Sequence, residues 1–275
     1  MNMDFHVHGL LSKRKDFNEE FFMNEIYFSK VNGLNAIVLC EHFNAKDFLV
    51  IYEFLEKKYS YDGDRYIVDG ISVFPAMEVS IKNKGHVILC GDRENIINIY
   101  KSLSDFREKE NFIELEELLD LAEVFDLLKI GAHPCRRGHK LCKHPHELLK
   151  RLDALDLNGK DIFKKGEAIA RDEVINLSQE LGLNIVTGSD SHTPIQLGGI
   201  YTNLNKECKT IKELKECIRN DDYSIKVNSS LNFKIFSSKI LKRYLLKADT
   251  YDKNTKFKIM GLIFVNSQSL EVEPL

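Results

Sequence analysis

DFHVHG, residues 4–9, sets two imidazoles two positions apart in an otherwise apolar segment. Side chains on a strand alternate, so Asp4, His6 and His8 project from one face and Phe5 and Val7 from the other. Two imidazoles on one face can grip a single metal ion. The plainer alternative is a pair of hydrogen-bonded core histidines, and the surrounding chain has to choose between them.

Outward from this hexapeptide, strand-like and helix-like segments alternate. β-rich runs fall at 2–8, 34–40, 71–77, 86–91, 128–133, 152–157 and 184–190. The pattern at 17–32 predicts a helix with Asp16 as N-cap, Glu19 and Glu20 in its first turn and Gly33 just past its end. Helical spacing recurs at 114–127 through Leu115, Leu118, Leu119 and Ala122, and at 171–181, closed by Gly182. Strand, helix, strand repeated about seven times reads as a parallel α/β architecture, either a barrel or an open doubly wound sheet. No GxGxxG or GxxxxGK[ST] loop is present, which removes the usual nucleotide-cradling readings. The alternation fades near residue 225, so the expected organisation is one domain over 1–225 and an extension over 226–275. Lys239, Lys242, Arg243 and Lys247 in that extension read most simply as a solvated face.

At 275 residues and 43% hydrophobic, the chain can bury a sizeable core. A formal net charge of −3 leaves no chain-wide basic field for gripping nucleic acid, although local patches are compatible with it. The N-terminus MNMDFHVHG lacks the apolar core of a signal peptide, and the run IMGLIFV (259–265) is too short to span a bilayer. The six cysteines form no CxxC pair and no secreted-type framework, so reduced thiols and a cytoplasmic location are expected, with no membrane partner.

The remaining strand ends favour the metal reading of DFHVHG. The second run ends in Glu41 and His42, the third reaches Glu78, and the fourth begins at His86. The fifth ends in His133 and the seventh in Asp190 and His192. In parallel barrels the C-terminal strand ends form the face on which active sites are built. Imidazoles with carboxylates suit Zn²⁺, Mn²⁺ or Fe²⁺, and one carboxylate such as Glu78 can bridge two ions. Within GAHPCRRGHKLCKHPH (131–146), His133 belongs to a strand end, and Arg136 and Arg137 begin the loop above it. The spacing of His139, Cys142, His144 and His146 from Cys135 matches no standard zinc knuckle, and His146 reads as the start of a helix.

Taken in order, HxH at 6–8, Glu41–His42, Glu78, GHVIL (85–89), AHP (132–134) and GSDSH (188–192) resemble the PHP family, named for polymerase and histidinol phosphatase domains. The resemblance spans roughly residues 3–203. It implies a distorted (β/α)7 TIM-like barrel with a short C-terminal extension, holding two or three divalent ions (Zn, Mn or Fe) and hydrolysing phosphate esters. The implied ligands are His6, His8 and Asp190 on one ion, Glu78 bridging, His86 and His133 on a second, and His42 and His192 on a third. Two departures stand out: Lys13 and Arg14 occupy a region where family members often place another ligand, and Glu41 replaces the usual aspartate. Asp156, in LDLNGK, is the counterpart of a family position in the sixth strand and is expected just outside the ligands.

The expected chemistry is attack on phosphorus by a metal-bridging hydroxide, with Asp190 and His192 as catalytic groups. His192 is the candidate proton donor, and Arg136, Arg137, Lys13 and Arg14 the candidate phosphate clamps. A small phosphomonoester, histidinol-phosphate-like or a nucleotide, is the leading substrate class. A 3′–5′ exonuclease on short nucleic acid is the second reading, and a non-catalytic, metal-stabilised scaffold in a larger assembly the third.

Overall fold

A computed structural model describes residues 1–247; the 259–265 run and the part of the expected extension beyond 247 lie outside the described residues. The chain opens with β1 (Asn2–Val7) and crosses through α1 (Glu19–Val31) to β2 (Ala36–Leu39). It continues through α2 (Phe48–Lys58) and a hairpin of β3 (Ser60–Asp62) and β4 (Arg65–Val68) into β5 (Ile71–Ser80), then β6 (His86–Cys90). Helices α3 (Arg93–Ser102) and α4 (Leu115–Val124) lead to β7 (Leu128–Ala132), and α5 (His146–Leu149) to β8 (Ala154–Asn158). Helices α6 (Gly159–Lys165) and α7 (Glu167–Leu181) lead to β9 (Asn184–Gly188). The described chain ends with β10 (Ile200–Leu204), α8 (Ile211–Arg219), β11 (Tyr223–Val227) and α9 (Leu231–Leu246).

One sheet runs in the order β11-β10-β1-β2-β5-β6-β7-β8-β9. It closes where the segment after β9 meets β1: Asp190 N–H donates to the His6 carbonyl at 2.8 Å and His8 N–H to the Ser191 carbonyl at 3.0 Å. The barrel strands β1, β2, β5, β6, β7, β8 and β9 are the seven runs read from sequence, and the architecture is the distorted (β/α)7 TIM-like barrel. Two directions differ from the parallel expectation, because β6 is antiparallel to both β5 and β7. Only residues 81–85 join β5 to β6, whereas a parallel crossover takes a dozen residues or more.

Alternation along the strands builds two cores. Ala36, Val38, Phe74, Ala76, Ile88, Ile130, Ala132 and Val186 fill the barrel, closed at one end by Leu214, Cys217 and Ile218 of α8. Their neighbours Ile37, Leu39, Val73, Val87, Leu89 and Leu155 face the helices. Strict alternation fails in β1, where the register shifts between Asp4 and Val7. Phe5 joins the barrel core while Val7 joins the helix-facing core, so the two are not on one face as period-2 reading expects. An irregularity of this kind re-aims side chains near functional sites.

The helix at α1 is capped by Asn18, whose Oδ1 accepts from Phe21 N–H at 2.8 Å; Asp16, the expected cap, pairs with Lys46 instead. Gly182 closes α7 at φ +69°, the left-handed conformation a helix C-terminus favours. Where the alternation fades, α9 packs back through Leu231, Ile235 and Ser238. Ser238 Oγ accepts from Thr193 Oγ1 at 2.7 Å and donates to Gln196 Oε1 at 3.0 Å, tying α9 to the loop after β9.

Candidate metal centre

The barrel gathers the candidate ligands at one rim. Strands β1, β2, β7, β8 and β9 bring their C-terminal ends there, and reversed β6 brings its start, which places His86 beside the others. Glu78 stands opposite His42 in a bridge between the end of β2 and β5, with Glu78 N–H donating to the Glu41 carbonyl at 3.0 Å.

Glu78 is the hub. Its Oε1 lies 2.7 Å from His86 Nδ1, 3.1 Å from His133 Nε2 and 3.6 Å from His6 Nε2. Its Oε2 lies 2.9 Å from His42 Nδ1 and 3.6 Å from His8 Nε2. Asp190 Oδ1 stands 3.4 Å from His8 Nε2 and 3.9 Å from His6 Nε2. Three groups converge closely enough to hold an ion: His6, His8 and Asp190; His6, Glu78 and His133; and His8, His42 and His192. His6 and His8 are fully buried, whereas the side chains of His42, His86 and His192 are 12–20% exposed, so the mouth opens on their side.

A ring of polar contacts stands behind these groups. His6 Nδ1 donates to Asp156 Oδ2 at 3.0 Å, which directs Nε2 into the cluster. Asn158 Nδ2 donates to the same Asp156 oxygen at 2.8 Å, and Arg136 Nη2 donates to Asn158 Oδ1 at 2.6 Å. Arg136 Nη1 reaches Asp190 Oδ2 at 2.7 Å, and its Nε reaches Asp161 at 3.1 Å. Lys160 Nζ takes the other Asp190 oxygen at 2.8 Å. Glu41 accepts Leu10 N–H at 2.9 Å and His42 N–H at 2.8 Å, fixing the loops beside His8.

The electrostatics fit a cation. Burial pulls Glu78 upward, yet the surrounding His86, His42 and His6 hold it well below the usual carboxylate range. Asp190 is likewise held low against its burial, by Lys160 and Arg136. Burial, with Arg136 beside His133 and His8 beside His192, keeps those two imidazoles well below their ordinary value and therefore neutral. His6 goes the other way: its burial is outweighed by Glu78 and Asp190, which push it up to about 10, so the anionic pocket draws positive charge to this nitrogen. His6 Nε2 and His8 Nε2 face each other at 3.2 Å, and the buried Nδ1 atoms of His8 and His133 lack hydrogen-bond partners. The ionised carboxylates and the neutral His133 and His192 suit a divalent transition ion, which would displace the proton that the same carboxylates draw to His6.

The backbone is strained where it presents two of these groups: His133 sits at φ +33° and Asp190 at φ +54°. Such conformations are costly for residues with a Cβ and cluster at functional sites. Gly188 has a steric reason to be glycine, since a Cβ there would lie 2.2 Å from the Cβ of His6. Gly188→Ala is expected to force β1 and β9 apart and lower stability by about 2 kcal/mol, read as a fall in unfolding midpoint.

Of the sequence-predicted groups, His6, His8, His42, Glu78, His86, His133, Asp190 and His192 come together at the rim. Arg136 lies directly behind it, its guanidinium engaged by Asp190, Asp161 and Asn158. Arg14 and Arg137 are exposed and Lys13 is half-buried. Among the described residues, no hydrogen bond or ion pair ties the side chains of these three to the cluster. Asn158, Lys160 and Asp161 were not singled out by sequence reading; their signal is position, at the end of β8 and the first turn of α6, where a barrel strand delivers side chains to the rim. His139, outside the expected ligand set, also stands at this rim, its ring 4.5 Å from that of His86 and 5.4 Å from that of His133.

A family model described as PHP-associated matches residues 168–223, which include Asp190 and His192. Comparison with curated proteins gives no match. Among solved structures, PsfC from Pseudomonas syringae superposes with a TM-score of 0.73 at 23% identity, over 89% of this chain and 98% of that one. The lesion-specific endonuclease EndoQ from Pyrococcus furiosus gives 0.59 at 20% identity, over 82% of this chain and 57% of that one. Endonuclease Q in complex with a 27-mer duplex bearing an abasic lesion gives 0.58 at 18% identity, over 82% and 58%. The chain thus spans little more than half of the endonuclease, and these likenesses establish a shared fold. The matched segment carries the GSDSH end of the same ordered motif set that the barrel gathers at one rim, so over those residues the family model agrees with the PHP resemblance read from the sequence.

Proposed function

We propose that this protein is a metal-dependent phosphoesterase acting on a small phosphomonoester, histidinol-phosphate-like or a nucleotide. The observation that carries the reading is Glu78, one buried carboxylate whose two oxygens face two different sets of imidazoles. Divalent ions held by His6, His8, Asp190, Glu78, His86, His133, His42 and His192 would supply acidified water and polarise phosphoryl oxygens.

The chain's own residues do the positioning. Asp156 holds His6 in the tautomer that presents Nε2. The Leu10 carbonyl, 3.4 Å from His192 Nδ1, favours a proton on that nitrogen and leaves Nε2 as a ligand atom. A neutral His192 with its proton on Nδ1 has none on Nε2 to give, which favours a ligand role for His192 over the expected proton-donor role. Arg136 and Lys160 brace Asp190 from behind, and Lys160, 21% exposed, is also placed to meet a phosphate oxygen. Arg137, Lys13 and Arg14 are assigned to the outer approach.

A second reading, hydrolysis of short nucleic acid, is favoured by α9. Lys239, Lys242 and Arg243 lie along its C-terminal half with Phe236 and Tyr244 exposed beside them. Lys239 and Lys242 both feel the charge of Lys160 at the mouth. Cations interleaved with rings suit a single-stranded backbone and its bases.

The deciding experiment is metal quantification on the purified protein, followed by assays with Mn²⁺ or Zn²⁺ against an aryl phosphate, a panel of phosphomonoesters and a labelled oligonucleotide. Metal-loaded protein inactive on all of them would leave the scaffold reading. Metal binding is also expected to be visible in stability: an ion at a hundred times its Kd adds about 2.7 kcal/mol. Exhaustive chelation should therefore lower the calorimetric unfolding midpoint by about 5–10 °C.

A further inference from the structure

The ring geometry points to His139 as a further metal ligand, which joins Glu78, His86 and His133 on one ion and completes a four-coordinate, zinc-selecting set. The inference rests on the metal-dependent reading above and on no particular substrate.

The loop after β7 carries three histidines beyond His133, and their surroundings differ. His144 Nε2 is engaged by the Lys84 carbonyl at 2.9 Å, and His146 Nε2 lies 3.8 Å from Glu180. His139 is half-buried, and among the described residues no hydrogen bond or ion pair holds its ring. What the ring touches is the centre. Its centroid lies 4.5 Å from that of His86 and 5.4 Å from that of His133, and those two are 5.1 Å apart. The three planes are inclined to one another by 63–68°, like the blades of a propeller.

These are the spacings of rings that share an ion. With metal–nitrogen bonds of about 2.1 Å each ring centre stands about 3.2 Å from the ion, so bond angles of about 90–120° set the centres about 4.5–5.5 Å apart. Edge-to-face packing alone tolerates about 4.5–7 Å. All three spacings fall inside the narrower window, whereas the convergent trio His8, His42 and His192 ranges over 4.1–5.8 Å. Glu78 supplies the meeting point, its Oε1 2.7 Å from His86 Nδ1 and 3.1 Å from His133 Nε2.

Glu78, His86 and His133 offer three donors, and a tetrahedral ion takes a fourth. The nitrogens of His139 are not among the three convergent groups, so its ring turns inward when the ion binds. Gly138 at φ +103° precedes it, and Gly138 and Lys140 on either side are exposed, which leaves the turn room. Three imidazoles and one carboxylate oxygen suit zinc, whereas manganese favours a set richer in oxygen.

The test titrates zinc into the metal-free full chain in competition with a chromophoric chelator. His139→Ala should weaken one bound zinc by at least about 100-fold, beyond the about 10–100-fold that losing an outer partner of a ligand costs. Its metal-free unfolding midpoint should match that of the unaltered protein. Added imidazole should restore part of the lost affinity, which a purely structural role for His139 does not allow. His144→Ala is the control and should bind zinc as the unaltered protein does. Unchanged zinc affinity in His139→Ala, or a loss that imidazole leaves untouched, would overturn the assignment. So would a loss of the same size in His144→Ala, the mark of a disturbed loop. An unaltered protein that takes up no zinc, manganese or iron would remove the metal-dependent reading as well.

Discussion

Glu78→Ala is expected to strip the protein of metal and cut turnover of an aryl phosphate by about 10³-fold, reflecting several kcal/mol of lost transition-state stabilisation. Five imidazoles stand within 3.6 Å of this one carboxylate, and no neighbouring acid can replace it. Asp190 already serves Arg136 and Lys160. Glu41 is turned toward the backbone of Leu10 and His42. Glu78→Gln separates charge from shape, since it keeps the packing and offers one neutral oxygen. Metal per chain, measured by elemental analysis beside activity, should fall in both variants and further in Glu78→Ala. Full metal content in Glu78→Ala would remove Glu78 from the centre altogether.

Arg136→Ala is expected to produce the largest loss of stability, about 3 kcal/mol. Arg136 and its partners Asp161 and Asp190 have side chains only 6–11% exposed, so removing the guanidinium strands buried charge. Breaking such pairs typically costs about 3–5 kcal/mol, and the lower end applies because Lys160 still serves Asp190. Asp161 and Asn158 are left without their cation. The unfolding midpoint should drop by about 6–12 °C. A shift under 2 °C would show that the ring around the centre is dispensable, on the same scaling. The double variant Arg136→Ala with Asp161→Asn should recover part of the loss if the stranded carboxylate is its source.

The seven strands are legible because they are near-continuous apolar runs ended by turn or ligand residues; their closure into a barrel is implied only by the family resemblance, since the alternation also fits an open sheet. The reversal of β6 is equally present in the sequence, because five residues between Ser80 and His86 cannot carry a parallel crossover. That same reversal explains why His86 begins its strand when the other rim groups lie near or beyond the C-terminal ends of theirs. The β1 irregularity had no local signature, since DFHVHG alternates perfectly on paper. The shift arises from pairing with β2 and with residues near 190, both distant in sequence. Asn158, Lys160 and Asp161 illustrate the same limit. Their composition is unremarkable, and their role exists only because β8 lies beside β7 and β9.

The seam between β1 and the segment after β9 also sets an order of events during folding. The contacts that close the barrel are the contacts that deliver Asp190 to His6 and His8, and Ser189 N–H reaches Asp4 across 185 residues of chain. So long a loop closes late, because its entropy must be spent before its contacts form. His6 and His8 therefore wait on β1 until the last barrel strand arrives, and a group that joins them to Asp190 acts as a clasp on a finished barrel rather than a nucleus for it. Metal should accordingly slow unfolding while leaving the refolding rate nearly unchanged.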